Sequence, residues 1–178
     1  MRNLLNASLV LSLLFLGGCN EYTSQICNQA TLLDVPGLEG NHKVVATNQE
    51  TLDIETIPVK LTRTHVGTYK DIDGAIVYTC SNGGRTLMET VNSQFGTFSS
   101  YFLKRSDTGF DLVLAGFDKN ELDKAGIPYE IVETNRISSF LTEHDSKQKV
   151  LRVNNGAMSN PWAVAAYLKP MSLSFKLY

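Results

Sequence analysis

From Gly40 to Phe117 the chain consists of short alternating runs separated by turn residues. His42, Val44 and Ala46 alternate with Lys43, Val45 and Thr47, which predicts a strand over His42–Thr47. Ile57, Val59 and Leu61 share one face of an extended run over 54–70. The β-branched residues Thr62, Thr64, Val66 and Thr68 continue it. The apolar phase changes between Leu61 and Val66, which predicts a bulge or bend there. Asp73-Gly74 is a tight-turn dipeptide leading into Ala75–Cys80. Ser81-Asn82-Gly83-Gly84 turns the chain into Arg85–Asn92. Phe95–Lys104 follows, and Ser106-Asp107-Thr108-Gly109 leads into Phe110–Phe117.

Beyond Phe117 the pattern is mixed. Asp118 at an N-cap with Glu121 three residues on predicts a short helix that stops at Gly126. Ile127–Glu133 reads as a strand, and Ile137–Leu141 and Lys149–Val153 as a pair across a polar turn at Asp145–Gln148. Asn160-Pro161 opens a short helix, Trp162–Leu168, with Trp162 as a plug over one barrel end. Leu173, Phe175 and Leu177 alternate with Ser172, Ser174 and Lys176 in a final strand. About eight to ten short strands with about two short helices predict a mainly β fold, an antiparallel meander forming a barrel or sandwich.

The N-terminus obeys a different rule. Met1-Arg2-Asn3 is followed by an apolar run from Leu4 to Leu16, the charged and apolar regions of a secretory signal. The run is shorter than the roughly 20 residues a membrane-spanning helix needs. It ends in Leu16-Gly17-Gly18-Cys19, which resembles the lipobox of the bacterial lipoprotein class, Leu-(Ala/Ser/Gly/Thr)-(Gly/Ala)-Cys, at all four positions. The resemblance implies cleavage after Gly18 and diacylation of Cys19. Asn20 in the next position implies the outer membrane, with the protein held to the bilayer through lipid on Cys19. Two or more acyl chains are what stable attachment requires. The organisation expected is a signal peptide over 1–18, a lipidated N-terminus and tether over 19–33 with a short helix near Gln29–Leu33, and a single β-rich domain over 34–178.

Composition narrows the function classes. The chain is 43% hydrophobic and 19% charged, with net charge −2. An ordinary globular composition with no basic cluster gives no electrostatic footprint for nucleic acid. With Cys19 assigned to lipid, Cys27 and Cys80 have only each other, and an oxidising compartment favours their disulfide. Its loop of more than about 50 residues is worth about 4 kcal/mol in the chain-entropy model. Two buried thiols, or a redox or metal role, are the alternatives.

Candidate chemistry is sparse. His42, His65 and His144 are the only histidines, and His42 and His65 fall on adjacent predicted strands where a zinc site is conceivable. Asp71-Ile72-Asp73-Gly74 has the acidic spacing of a calcium loop, but Ile76 stands where the EF-hand glycine belongs, and a hairpin turn accounts for the residues. Ser146-x-x-Lys149 has nucleophile spacing in a polar turn rather than at a helix start. No cofactor motif is present. Tyr69, Tyr78, Phe95, Phe98, Tyr101, Phe102, Phe110 and Phe117 concentrate in the central strands. They read as core, or, for Tyr78, Phe98, Tyr101 and Phe110, as the lining of a ligand cavity.

Two family resemblances bear on the domain. Gly40-Asn41-His42 is similar to the Gly-x-Trp start of lipocalins, with His42 in place of the tryptophan. Tyr78-Thr79-Cys80 followed by Asn82-Gly83-Gly84 is similar to the Tyr-x-Cys strand of membrane-bound lysozyme inhibitors. That family's later Ser-Gly-x-x-Tyr loop is absent from this chain. The expected function is a non-catalytic, lipid-anchored domain that binds a small apolar ligand or an envelope protein, or is structural. An inhibitor of an envelope-attacking enzyme such as lysozyme is the alternative, with a hydrolase behind it.

Overall fold

The computed structural model describes residues 20–47, 54–92, 96–135 and 147–178. In chain order the strands are β1 (Asn20–Tyr22), β2 (Gly40–Thr47), β3 (Ile54–His65), β4 (Thr68–Lys70), β5 (Ile76–Asn82), β6 (Arg85–Asn92), β7 (Thr97–Ser106) and β8 (Gly109–Phe117). Helix α1 (Lys119–Ala125) follows, then β9 (Tyr129–Asn135), β10 (Lys147–Val153), two 3-10 segments at Asn155–Ala157 and Pro161–Tyr167, and β11 (Leu168–Leu177).

Strands pair in the order β6-β5-β4-β3-β2-β11-β8-β7, and β6 pairs back to β7, so eight antiparallel strands close into a barrel. The expected phase change in the 54–70 run is a register shift between Arg63 and His65, where β3 turns through Val66-Gly67 into β4. The predicted helix forms as α1: the Asp118 side chain accepts from the Asn120 amide at 2.9 Å, and Gly126 closes the helix in the left-handed region at φ 66°.

The wall strands β5 to β8 feed two cores. Val77, Met88, Tyr101, Leu103, Phe110, Leu112 and Leu114 join one apolar cluster with Leu38, Val44, Leu61, Tyr69 and Phe175, inside the barrel. Their sequence neighbours point the other way, as alternation along a strand requires. Cys80, Leu87, Ala115 and Phe117 belong to a second cluster with Tyr22, Ile26, Cys27, Leu122, Ile127, Val153, Val164 and Leu168, on the outer face of the wall. This outer layer includes α1, the 3-10 segments and a small sheet. In that sheet β1 pairs antiparallel with β7 through Tyr22 and Phe98 and parallel with β10, and β9 pairs with β10.

Several expectations are corrected here. Residues 20–33 are part of the fold and not a tether: Asn20, Glu21 and Tyr22 are buried in β1, and Ile26 and Cys27 are buried in the second core. No helix forms near Gln29–Leu33. The chain turns at Asn28–Thr31, and Leu32 bridges to Cys80. Trp162 is 45% exposed and plugs nothing, because Val164 and Ala165 are the buried residues of its segment. β10 pairs with β9, and the segment 137–141, expected to pair with it, lies outside the described residues.

Candidate functional site

The segment from Tyr22 to Leu38 acts as a strap, and two concave features lie along it. Its first part lies over the outer face of β6 and β7. The Glu89 carboxylate on β6 accepts through Oε2 from the Ile26 amide at 3.0 Å and the Cys27 amide at 2.8 Å. Beside it, the Tyr22 hydroxyl hydrogen-bonds Ser100, which stands opposite Glu89 in the register. Glu89 and Ser100 are fully buried. Loss of water at this site pushes the Glu89 carboxyl from 4.5 up to about 8, against the two amide bonds that lower it. Burial, with the nearby Glu89 charge, also pushes the Tyr22 phenol well above its ordinary value. Because the cluster is sealed from solvent, it holds the strap and cannot meet a substrate.

The middle of the strap completes the barrel wall. The Leu33 amide donates to the Thr79 carbonyl at 3.0 Å, and the Ser81 amide to the Thr31 carbonyl at 3.0 Å. Residues 31–33 thus flank β5 where β4 has ended. A Cβ on Gly67 would lie 2.6 Å from the Thr79 oxygen and 2.8 Å from the Leu33 nitrogen, so only glycine leaves room for this crossing. The expected disulfide joins Cys27 to Cys80 with Cα atoms 5.3 Å apart.

The last part closes one barrel end. Leu38 is fully buried in the interior core, and the Val35 amide donates to the Tyr69 hydroxyl at 3.1 Å. Asp34 accepts from the Gly67 amide at 2.8 Å and pairs with Arg63 at 2.5 Å. Two concavities flank this segment. One, of about 200 Å³, is lined by the apolar Leu33, Val35, Pro36, Leu103 and Phe110 and by the polar Asp34, Thr86 and Arg105. Arg105 has no carboxylate partner among the described residues. The other is a shallow groove of about 660 Å³, lined by Gln29, Leu32, Glu39, Arg63, His65 and Val66. The β3–β4, β5–β6 and β7–β8 turns all belong to this same end of the meander.

The four aromatics expected to line one cavity are divided by the wall. Tyr101 is fully buried in the interior against Phe175, with ring centroids 6.2 Å apart, and Phe110 borders the smaller concavity. Tyr78 and Phe98 pack outside, Phe98 stacked on Tyr22 at 6.0 Å. His42 Nε2 hydrogen-bonds the Leu38 carbonyl at 2.9 Å, and His65 lies in the shallow groove. Among the described residues no three metal-ligating side chains come together. Asp71 accepts from the Asp73 and Ala75 amides at 2.9 and 2.8 Å, so the Asp71–Gly74 stretch is a side-chain-braced hairpin turn. Leu16, Gly17, Gly18, Cys19, Phe95, His144 and Ser146 lie outside the described residues.

Sequence reasoning passed over Glu89, Asn155, Arg105 and the ladder Glu21–Arg152–Glu130. In that ladder Arg152 spans 3.2 Å to Glu21 and 3.4 Å to Glu130 across three adjacent strands. Asn155 clamps Ser24, taking its amide and giving to its carbonyl, each at 2.7 Å. Only the position of Glu89 in a run of strand formers hinted at burial. The partners of the others are distant in sequence. Neither protein-family models, nor curated proteins, nor solved structures give a match to this chain.

Proposed function

We propose that this chain is a bacterial lipoprotein of the outer membrane, anchored through acyl chains on Cys19. Its barrel would be a non-catalytic binding domain that works at the strap-closed end. The observation that carries the reading is the concavity of about 200 Å³ beside Phe110: five apolar residues line it together with Thr86, with Asp34, whose carboxylate is already taken by Arg63 and the Gly67 amide, and with Arg105, which has no carboxylate partner among the described residues. Such a site suits a small apolar ligand with an acidic group: the chain of the ligand is desolvated against Leu33, Val35, Pro36 and Leu103, and its anion meets the guanidinium. The interior itself is filled by Tyr69, Met88, Tyr101 and Phe175, which favours a ligand held at the barrel end over one enclosed at its centre. No metal or cofactor enters this reading.

Titration calorimetry of the purified domain with octanoate tests it. Binding is expected, weakened about tenfold by Arg105→Gln, in line with the loss of one charge-assisted hydrogen bond of about 1.5 kcal/mol. Absence of binding, or equal binding by the variant, contradicts the proposal. A second reading draws on the shallow groove of about 660 Å³ and the hairpin turns grouped around it, which suit a protein partner, including an enzyme to be inhibited. Loss of lysozyme activity on addition of the domain would favour that reading.

A further inference from the structure

The link between anchor and fold has almost no length. Asn20 follows Cys19 directly, is only 5% exposed, and is already in register with Leu151 of β10. Successive Cα atoms are about 3.8 Å apart, so a lipid on Cys19 sits within one residue of hydrogen-bonded sheet. A domain on a flexible tether can stand off from the bilayer and tumble, but this chain has no residues to do so.

The small sheet shows which surface is brought down. β1 and β10 run parallel, and β10 begins at Lys147, four positions before the residue that pairs with Asn20. At about 3.3 Å per residue, β10 therefore extends roughly 13 Å past Asn20, toward the side from which the anchored residue enters. β9 runs alongside it. The row Asn20, Leu151, Ile131 crosses all three strands and ends in Ile131, which is 55% exposed. Two strand spacings place Ile131 about 10 Å from Asn20. Lys149 is exposed on the same arm and in register with Glu133, and Glu130 pairs with Arg152, so both acidic residues of β9 have a basic neighbour.

We propose that the barrel has no spacer between lipid and fold, and that the β9–β10 arm consequently rests on the phospholipid surface with Ile131 in contact with it. The inference depends on the anchor proposed above. It fixes the orientation of the domain. β3 lies opposite β7 in the ring of eight strands, so the wall around Thr62 faces away from the arm.

The test uses the full lipidated protein in vesicles of phosphatidylethanolamine and phosphatidylglycerol containing headgroup spin labels. A fluorophore is attached at Ile131→Cys, at Lys149→Cys, or at the exposed control Thr62→Cys. Quenching several-fold stronger at 131 and 149 than at 62 is expected. Equal quenching at all three, with lipid on Cys19 confirmed by intact mass, overturns the inference and leaves the anchor standing. A mass without lipid on Cys19 overturns the anchor reading and this inference with it. A flexible Gly/Ser spacer of about ten residues between Cys19 and Asn20 gives a reach of roughly 17 Å and should abolish the contrast. A contrast that survives the spacer shows that the short link does not set the orientation.

Discussion

Inside the barrel, Tyr69, Tyr101, Leu112, Leu114 and Phe175 meet as an apolar cluster; on the other side of the same wall, Glu89, Ser100 and Tyr22 meet Ile26 and Cys27. The interior is held by burial of apolar surface, about 1.5–3 kcal/mol for each large side chain. The outer layer has an apolar cluster too. It also depends on a disulfide, a sealed carboxyl, an asparagine clamp and the ion pair between Glu21 and Arg152. Those interactions hold only at one alignment of residues far apart in sequence. The interior should therefore tolerate repacking, and the outer layer should fail when single partners are removed.

The largest difference is expected from the disulfide. Replacing Cys27 and Cys80 together by alanine removes a cross-link over 53 residues, worth about 4 kcal/mol in the chain-entropy model. Denaturant unfolding of this variant should show the outer layer melting ahead of the barrel. A single transition at the wild-type midpoint would contradict the difference. Leu114→Ala, a cavity in the interior, should cost about 3 kcal/mol and lower both regions together, because the outer layer has no support without the wall. Asn155→Ala should cost about 2 kcal/mol by leaving the Ser24 amide and carbonyl without their partner. That loss should be confined to the outer layer, as read by exchange of amides in 20–27.

The remaining effect is a pH slope, small per pH unit and spread over several units. The Glu89 carboxyl binds its proton more tightly in the folded state, at about 8, than at its ordinary 4.5. Its contribution is thus complete below about pH 4.5 and is lost as pH rises toward about 8, by at most about 1.4 kcal/mol per pH unit. Glu89→Gln keeps an acceptor for the Ile26 and Cys27 amides and removes the titration. The slope between those limits should flatten, with stability at acidic pH unchanged. An undiminished slope would assign the pH dependence to other groups.

How far the sequence could be read follows the same division. The strands of the barrel were legible because alternation reports one buried face, and Arg85–Asn92, the β3 irregularity and the Asp118 and Gly126 caps all lie where local chemistry puts them. The second buried face was hidden by its polarity. Ser100 and Glu89 look solvent-facing until Tyr22 and the strap amides are placed on them. Asn20-Glu21-Tyr22-Thr23-Ser24-Gln25 has the composition of a tether, yet Ser24 is held by Asn155 and Glu21 by Arg152, each 131 residues away. The Cys27–Cys80 pairing was the one long-range contact open to inference, since cysteine counting needs no geometry. The aromatics misled for a related reason: spacing along strands that are buried on both faces does not reveal which core each ring enters.

The most direct test of the strap is hydrogen exchange on the full chain, with the disulfide intact and then reduced. With it intact, the amides of Ile26, Cys27 and Leu33 should exchange as slowly as those of Tyr101 and Leu114 in the wall. After reduction, 20–33 should lose protection together with Lys119–Ala125 and Pro161–Tyr167, while Tyr101 and Leu114 keep theirs. Fast exchange throughout 20–33 in the oxidised protein is the behaviour of a tether and would contradict the account.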